Sequence, residues 1–186
     1  MPRPLTHIVR RLAEVWARIT SVQFVIDKMQ TSDWDQVSSI YMEGIATGNA
    51  TFETHLPDPT SWDTSHLPIC RLVARDGGSI LGWAALSPVS SRCVYGGVAE
   101  VSVYVAARAR GKGIGRRLLA ALVAESERNG IWTLQAGILA ENRASIAIHE
   151  ACGFREVGRR EKLGKLKGVW RDVVLMERRS GIVGIE

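Results

Sequence analysis

Apolar and polar positions alternate along parts of this chain and recur at helical spacing in others, and the switches between the two periods mark out its elements. VQFVIDKM at 22–29 predicts a first strand. Thr31-Ser32-Asp33 then supplies an N-cap for a helix carrying Trp34, Val37, Ile40 and Tyr41. Strands follow at 69–75 and 79–87, joined as a hairpin at Asp76-Gly77-Gly78. A further strand at 98–105 feeds a helix over 113–128 that ends at Asn129-Gly130. The remainder reads as a strand at 132–138, a helix at 143–152 closed by Gly153, and strands at 154–163 and 169–178. An antiparallel beginning that runs into a strand-helix-strand crossover implies an α/β fold, with one twisted mixed sheet and helices on its faces.

Two segments stand apart from this series. Residues 5–19 place Leu5, Ile8, Val9, Leu12, Val15, Trp16 and Ile19 on one helical face, which predicts an amphipathic helix ahead of the main domain. Gly48 to Asp63 is polar, contains two prolines and reads as a loop. A loop of that length inside a compact domain is commonly functional.

The chain's 186 residues suit one domain with a substantial core. No apolar run approaches the roughly 20 residues of a membrane-spanning helix, and the N-terminus has no secretory pattern, so the expectation is a cytoplasmic protein with no membrane partner. Cys70, Cys93 and Cys152 lack metal or disulfide spacing and read as reduced thiols, with no metal site. The net charge of +5 gathers partly at 108–117 and 155–171. Basic clusters can bind nucleic acid, but no helix-turn-helix, stacking-aromatic or zinc-finger pattern accompanies them, and no nucleic-acid partner is expected.

The central cluster has another explanation. In RARGKGIGRR, Gly111, Gly113 and Gly115 alternate with Lys112 and Ile114, flanked by Arg108, Arg110, Arg116 and Arg117, immediately before a helix. Backbone N–H groups at a helix start attract anions, and the helix dipole adds about half a positive charge there. The order of residues fits neither GxxxxGK[ST] nor GxGxxG. Taken alone, the loop equally suits a glycine-rich turn before a basic helix.

Arg110-Gly111-Lys112-Gly113-Ile114-Gly115 matches Arg/Gln-x-x-Gly-x-Gly/Ala, the coenzyme A diphosphate loop of the GNAT superfamily of N-acetyltransferases. Further segments match in order: TFET at 51–54, Arg92 and Tyr95 ahead of Glu100, EVSVYV at 100–105, ENRASIAIHEACGF at 141–154, and Gly168, Trp170 and Asp172. Together they resemble the phosphinothricin acetyltransferase branch. Val98 stands where that branch usually has threonine, and Leu166 where it usually has lysine.

The resemblance implies a GNAT domain at 22–178, preceded by an extension at 1–21 and followed by a tail at 179–186. It implies acetyl-CoA as donor, a small-molecule amine as acceptor and a homodimer. Glu100 then serves as general base, against the alternative of a strand-end glutamate paired with arginine. His149 then protonates the leaving thiolate or joins a relay, against that of a histidine packed between helix and sheet. Val101, Ser102, Val103, Asn142 and Ser145 would hold the pantetheine arm. Arg108, Arg110, Gly111, Lys112, Gly113, Ile114, Gly115 and Arg116 would hold the diphosphate. Phe52, Glu53, Arg92, Tyr95 and Trp170 would border a small amino acid or an analogue such as phosphinothricin or methionine sulfoximine, with core packing open for Phe52 and Trp170. A protein or peptide N-acetyltransferase and a non-catalytic acyl-CoA-binding module are the alternative functions.

Overall fold

The computed structural model describes residues 23–185; the helix expected at 5–19 lies outside them. The chain runs β1 (Val25–Lys28), α1 (Trp34–Ala46), α2 (Pro59–Ser65), β2 (Leu72–Asp76), β3 (Ser79–Pro88), β4 (Val98–Val105), α3 (Ile114–Arg128), β5 (Thr133–Leu139), α4 (Arg143–Ala151), β6 (Arg155–Leu166) and β7 (Val169–Arg179). The seven strands form one sheet in the order β1-β2-β3-β4-β5-β7-β6. Only β4 and β5 are parallel. Mixed sheets of this kind arise where hairpins meet a single crossover helix, here α3.

Two sequence expectations change. Asp33 does not cap α1 through its side chain, because it is committed elsewhere. Residues Thr31–Asp33 form a 3-10 turn, and the Asp33 carboxylate accepts from the Gln30 N–H and pairs with Arg75 at 2.8 Å. Burial alone would raise its pKa; Arg75 and the Gln30 N–H outweigh that and hold it below the usual carboxylate range. The loop expected at 48–63 contains the start of α2. Asp58 accepts from the N–H groups of Thr60 and Ser61, Pro59 occupies the first helical position, and Trp62 is buried.

Strand alternation sends side chains to two faces. On one, Trp83 stacks on Tyr104 at 4.7 Å between centroids, and Tyr41 of α1 and Trp62 of α2 pack edge-on against this pair. On the other, Leu118 of α3 approaches Gly82 so closely that a Cβ there would stand 3.0 Å from its Cδ1. A fully buried row of Leu118, Leu119 and Leu122 lies along that helix. At the far end of the chain, β6 and β7 extend as a long hairpin turned by Lys167 and Gly168, both at positive φ. Past β7, the expected tail is tied back to the fold by Arg179, which donates to the carbonyls of Trp132 and Val183.

Candidate functional site

The site begins where two parallel strands part. β4 and β5 are in register only from Val98↔Thr133 to Glu100↔Gln135, although β4 continues to Val105 and β5 to Leu139. Beyond that row, β4 keeps its partner β3 and β5 keeps β7, so each loses pairing on the side facing the other. Val101–Val105 and Ala136–Leu139 line a cavity of about 1000 Å³ between them. Unpaired strand groups invite a ligand with amides of its own, which can bond to them as another strand would.

The glycine loop closes one end of this cavity. After β4, a 3-10 turn at Ala107–Ala109 leads to Arg110, and α3 starts at Ile114. Gly111 and Gly113 have φ of +75° and +77°, and a Cβ at either would meet no atom within 4 Å. The backbone is therefore bare and faces open space, as a diphosphate would require. Arg110, Gly111, Gly113, Ile114, Gly115 and Arg116 line the cavity. Arg108 and Lys112 do not: the Arg108 guanidinium donates to the Ile80 carbonyl at 3.1 Å, and Lys112 Nζ donates to the Arg108 carbonyl at 3.0 Å. These two cations brace the loop from behind.

On the opposite wall, Asn142 caps α4, its Oδ1 accepting from Ser145 N–H at 3.1 Å. Its Nδ2 donates to the Asn49 carbonyl at 3.0 Å, joining α4 to the segment after α1. Both Asn142 and Ser145 line the cavity. Arg171 clamps the same segment by donating to Gly48 O and Asn49 Oδ1 and pairing with Glu141 at 3.0 Å. Sequence reasoning missed Asn49 and Arg171, since their meeting spans more than a hundred residues and leaves no local pattern.

Glu100 stands at the fork of the splay. Its register partners are Ser87 on β3 and Gln135 on β5, so three polar side chains share one row and one face. Gln135 Nε2 donates to Glu100 Oε2 at 3.1 Å. The cavity around it is walled by Tyr41, Thr51, Phe52, Glu53, Trp62, His66 and Tyr104. The His66 ring stacks on Trp62 at 4.2 Å, and its Nδ1 lies 2.7 Å from the Trp62 carbonyl, so Nδ1 carries the proton. Burial lowers the pKa of His66 and raises those of Tyr41 and Tyr104, which keeps all three neutral at pH 7.

Of the expected acceptor residues, only Phe52 and Glu53 line this cavity. Arg92 and Tyr95 are exposed on the loop after β3, the guanidinium 5.7 Å above the tyrosine ring. Trp170 is 55% exposed near the tip of the β6–β7 hairpin, with Lys165 Nζ 5.5 Å from its ring. That hairpin runs past the last β5 pairing, Leu139↔Val173, which carries Trp170 away from the cavity.

His149 is 3% exposed and lines the cofactor side. Its Nδ1 lies 2.8 Å from the Ser145 carbonyl, an atom that can only accept, so the proton sits on Nδ1. Nε2 is buried without a partner. Burial lowers the ring's pKa, the Ser145 carbonyl opposing this only in part, so the ring is neutral and its free nitrogen is an acceptor. Such a ring has no proton to give from Nε2, which turns the expected thiolate acid into a buried hydrogen-bond acceptor. Below the unfolded pKa of about 6.5 the unfolded chain binds a proton here that the folded chain refuses, so stability falls as pH drops through that value. Melting curves from pH 7.5 to 5 should show this fall, and His149→Phe should make it shallower; an equally steep fall in the variant would contradict a neutral buried ring.

Comparison with known proteins places this geometry. A family model described as acetyltransferase (GNAT) family matches residues 34–154. The chain is 35% identical over 159 residues to a phosphinothricin N-acetyltransferase of Alcaligenes faecalis, covering 81% of this chain and 79% of that protein. It is 35% identical over 106 residues to an L-methionine sulfoximine/L-methionine sulfone acetyltransferase of Salmonella typhimurium, covering 57% and 62% respectively. A crystal structure of a GNAT superfamily phosphinothricin acetyltransferase from Sinorhizobium meliloti in complex with AcCoA superposes with a TM-score of 0.79 at 30% identity, covering 88% of this chain and 91% of that one.

Proposed function

This chain belongs to the acetyltransferase (GNAT) family and uses acetyl-CoA as donor, and on that premise we propose that it acetylates the α-amino group of a small amino acid or amino-acid analogue, with Glu100 as general base. The observation that carries the reading is the position of Glu100: the last residue of β4 paired with β5, at the point where an arm lying between β4 and β5 would end. The relatives named for phosphinothricin and methionine sulfoximine support the acceptor class.

Acetyl-CoA supplies the acetyl group, so that an N–C bond forms, the C–S bond breaks, and the products are an N-acetyl amide and the free thiol. An ammonium is no nucleophile, and Glu100 takes one of its protons, directly or through a water, and passes it to solvent. The amine's second proton ends on the departing sulfur. Backbone N–H groups of the unpaired β4 edge at Val101 and Val103 orient the arm and polarise the acyl carbonyl, a contribution of roughly 3 kcal/mol per donor elsewhere, while Ser102 between them lines the cavity. Arg110, Arg116 and the loop amides of residues 111–115 hold the diphosphate, Asn142 and Ser145 flank the arm, and His149 Nε2 accepts from a donor on it.

Tyr41, Tyr104, Trp62 and Phe52 enclose the acceptor's body, and Glu53 faces its entrance. We assign Arg92 to the acceptor's acid group, with Tyr95 beside it, and Trp170 to the mouth of the site in a homodimer; their exposure supports contact with something beyond the protomer. A thiol-bearing, reducing setting suits Cys70, Cys93 and Cys152, all free, and accords with the cytoplasm. Among the described residues no helix is long and apolar enough to cross a membrane.

The test is release of CoA thiol from acetyl-CoA across phosphinothricin, methionine sulfone, methionine sulfoximine, the proteinogenic amino acids, polyamines and short peptides. Turnover is expected with the first three and with small amino acids. Peptides outrunning every free amino acid would point to protein acetylation, and no release with any amine would leave only an acyl-CoA-binding module.

A further inference from the structure

We infer that Gln135 is a positioning residue for the base, fixing which oxygen of Glu100 meets the acceptor. The inference rests on Glu100 being that base. A carboxylate can only accept, so the Gln135 amide turns its nitrogen toward Glu100, and Nε2 holds Oε2 at 3.1 Å. The two residues are direct register partners in the last paired row of β4 and β5. The strands are therefore held together just where this hydrogen bond is made, and the side chains leave the backbone side by side.

The other oxygen is placed by the same bond. Oε1 lies 3.7 Å from where a Cβ of Gly137 would stand. Gly137 is two residues along β5 on the same face, past the fork, and has no side chain to occupy the space. Glu100 thus leans across the opening between the strands, with one oxygen tied and one free beside the slot. On its far side Gln135 faces Glu177, whose carboxylate is already taken by Arg155 at 2.8 Å. The amide is left to serve Glu100.

Other ionisable groups line the same cavity as this carboxylate. Tyr104 stands on its own strand, Tyr41 on α1, Glu53 on the segment before α2 and His66 at the end of α2. Arg110, Arg116 and His149 border the cavity from the loop, α3 and α4. Among the described residues none of these groups hydrogen-bonds to Glu100; Gln135 does.

Gln135→Met keeps the length and removes the donor, and Gln135→Glu puts a like charge in its place. Steady-state kinetics with the best acceptor, reading kcat and KM separately, together with calorimetric titration of acetyl-CoA, provide the readout. In both variants kcat should fall about tenfold, the scale of one hydrogen bond to a charged group. Acetyl-CoA affinity should stay within about twofold, and the loss should appear in kcat rather than in the KM of the acceptor. Retained acetyl-CoA binding certifies the fold, and if one variant fails to fold the other carries the test. Parent kcat in the folded variants, or a loss confined to the KM of the acceptor, would overturn the role of Gln135. If Glu100→Gln itself keeps full turnover, it is the base assignment that falls. If Glu100→Gln is inactive while the Gln135 variants match the parent, the positioning role alone is lost.

Discussion

Glu100→Gln is expected to lower turnover about a hundredfold or more while acetyl-CoA binds as before, the range that loss of a general base produces. The split follows from where the side chain stands. Glu100 shares its face of β4 with Tyr104, whereas the glycine loop and α4 border the cavity from other elements. Glutamine preserves the shape and still meets Gln135, so the β4–β5 row survives and the substitution removes basicity without removing structure. Calorimetry with acetyl-CoA and thiol release with the best acceptor separate the two effects. The lost rate should return in part at high pH, where a growing share of the acceptor amine is already neutral. A variant that turns over like the parent at pH 7 would dismiss Glu100 from the chemistry.

Gly113→Val should weaken acetyl-CoA binding at least tenfold. Gly113 caps α3 at φ +77°, a conformation that costs an L-residue about 1–2 kcal/mol. No protein atom lies within 4 Å of the added Cβ, so the fold itself raises no steric objection. The methyl groups instead stand in the open space beside the loop, in the cavity where we propose that the diphosphate lies. Gly130, just past the other end of α3, supplies the control: its φ is +75°, a Cβ there also meets nothing, and it is not among the residues of the cavity. Gly130→Val should lower the melting temperature by a similar amount and leave acetyl-CoA affinity unchanged. Equal affinity losses in both would mean that backbone strain, not an obstructed cradle, weakens binding.

The strand at 98–105 and the helix that follows it were legible to within a residue, because alternation and helical spacing change abruptly at the glycines. The mixed sheet followed from element order, and the family resemblance pointed to Glu100, which the fold sets where β4 and β5 part. Asp58-Pro59, a good helix start, was hidden by the polar composition around it. Asp33 looked like a cap because its sequence neighbours allow that role, but Arg75, far along the chain, draws the carboxylate off. His149 carried a motif and a plausible pKa; only burial and the Ser145 carbonyl show which nitrogen is protonated. Trp170 and Arg92 matched their motifs and still lie outside the cavity, since a motif fixes residue type and order but not the reach of a hairpin or a loop.

By itself, then, the sequence determined the succession of elements, the bare glycine turn ahead of α3 and the glutamate that precedes it, all of which depend on residues close together in the chain. The tertiary structure alone decided that β4 and β5 part after Glu100↔Gln135, that Tyr41, Trp62, His66 and Tyr104 close around that fork, and that Arg171 locks the Asn49 segment against it. The physical reason is range: periodicity and turn chemistry are set by neighbours a few bonds away, whereas register across a sheet and the partner of each buried polar atom are settled by groups that meet only when the whole chain has packed.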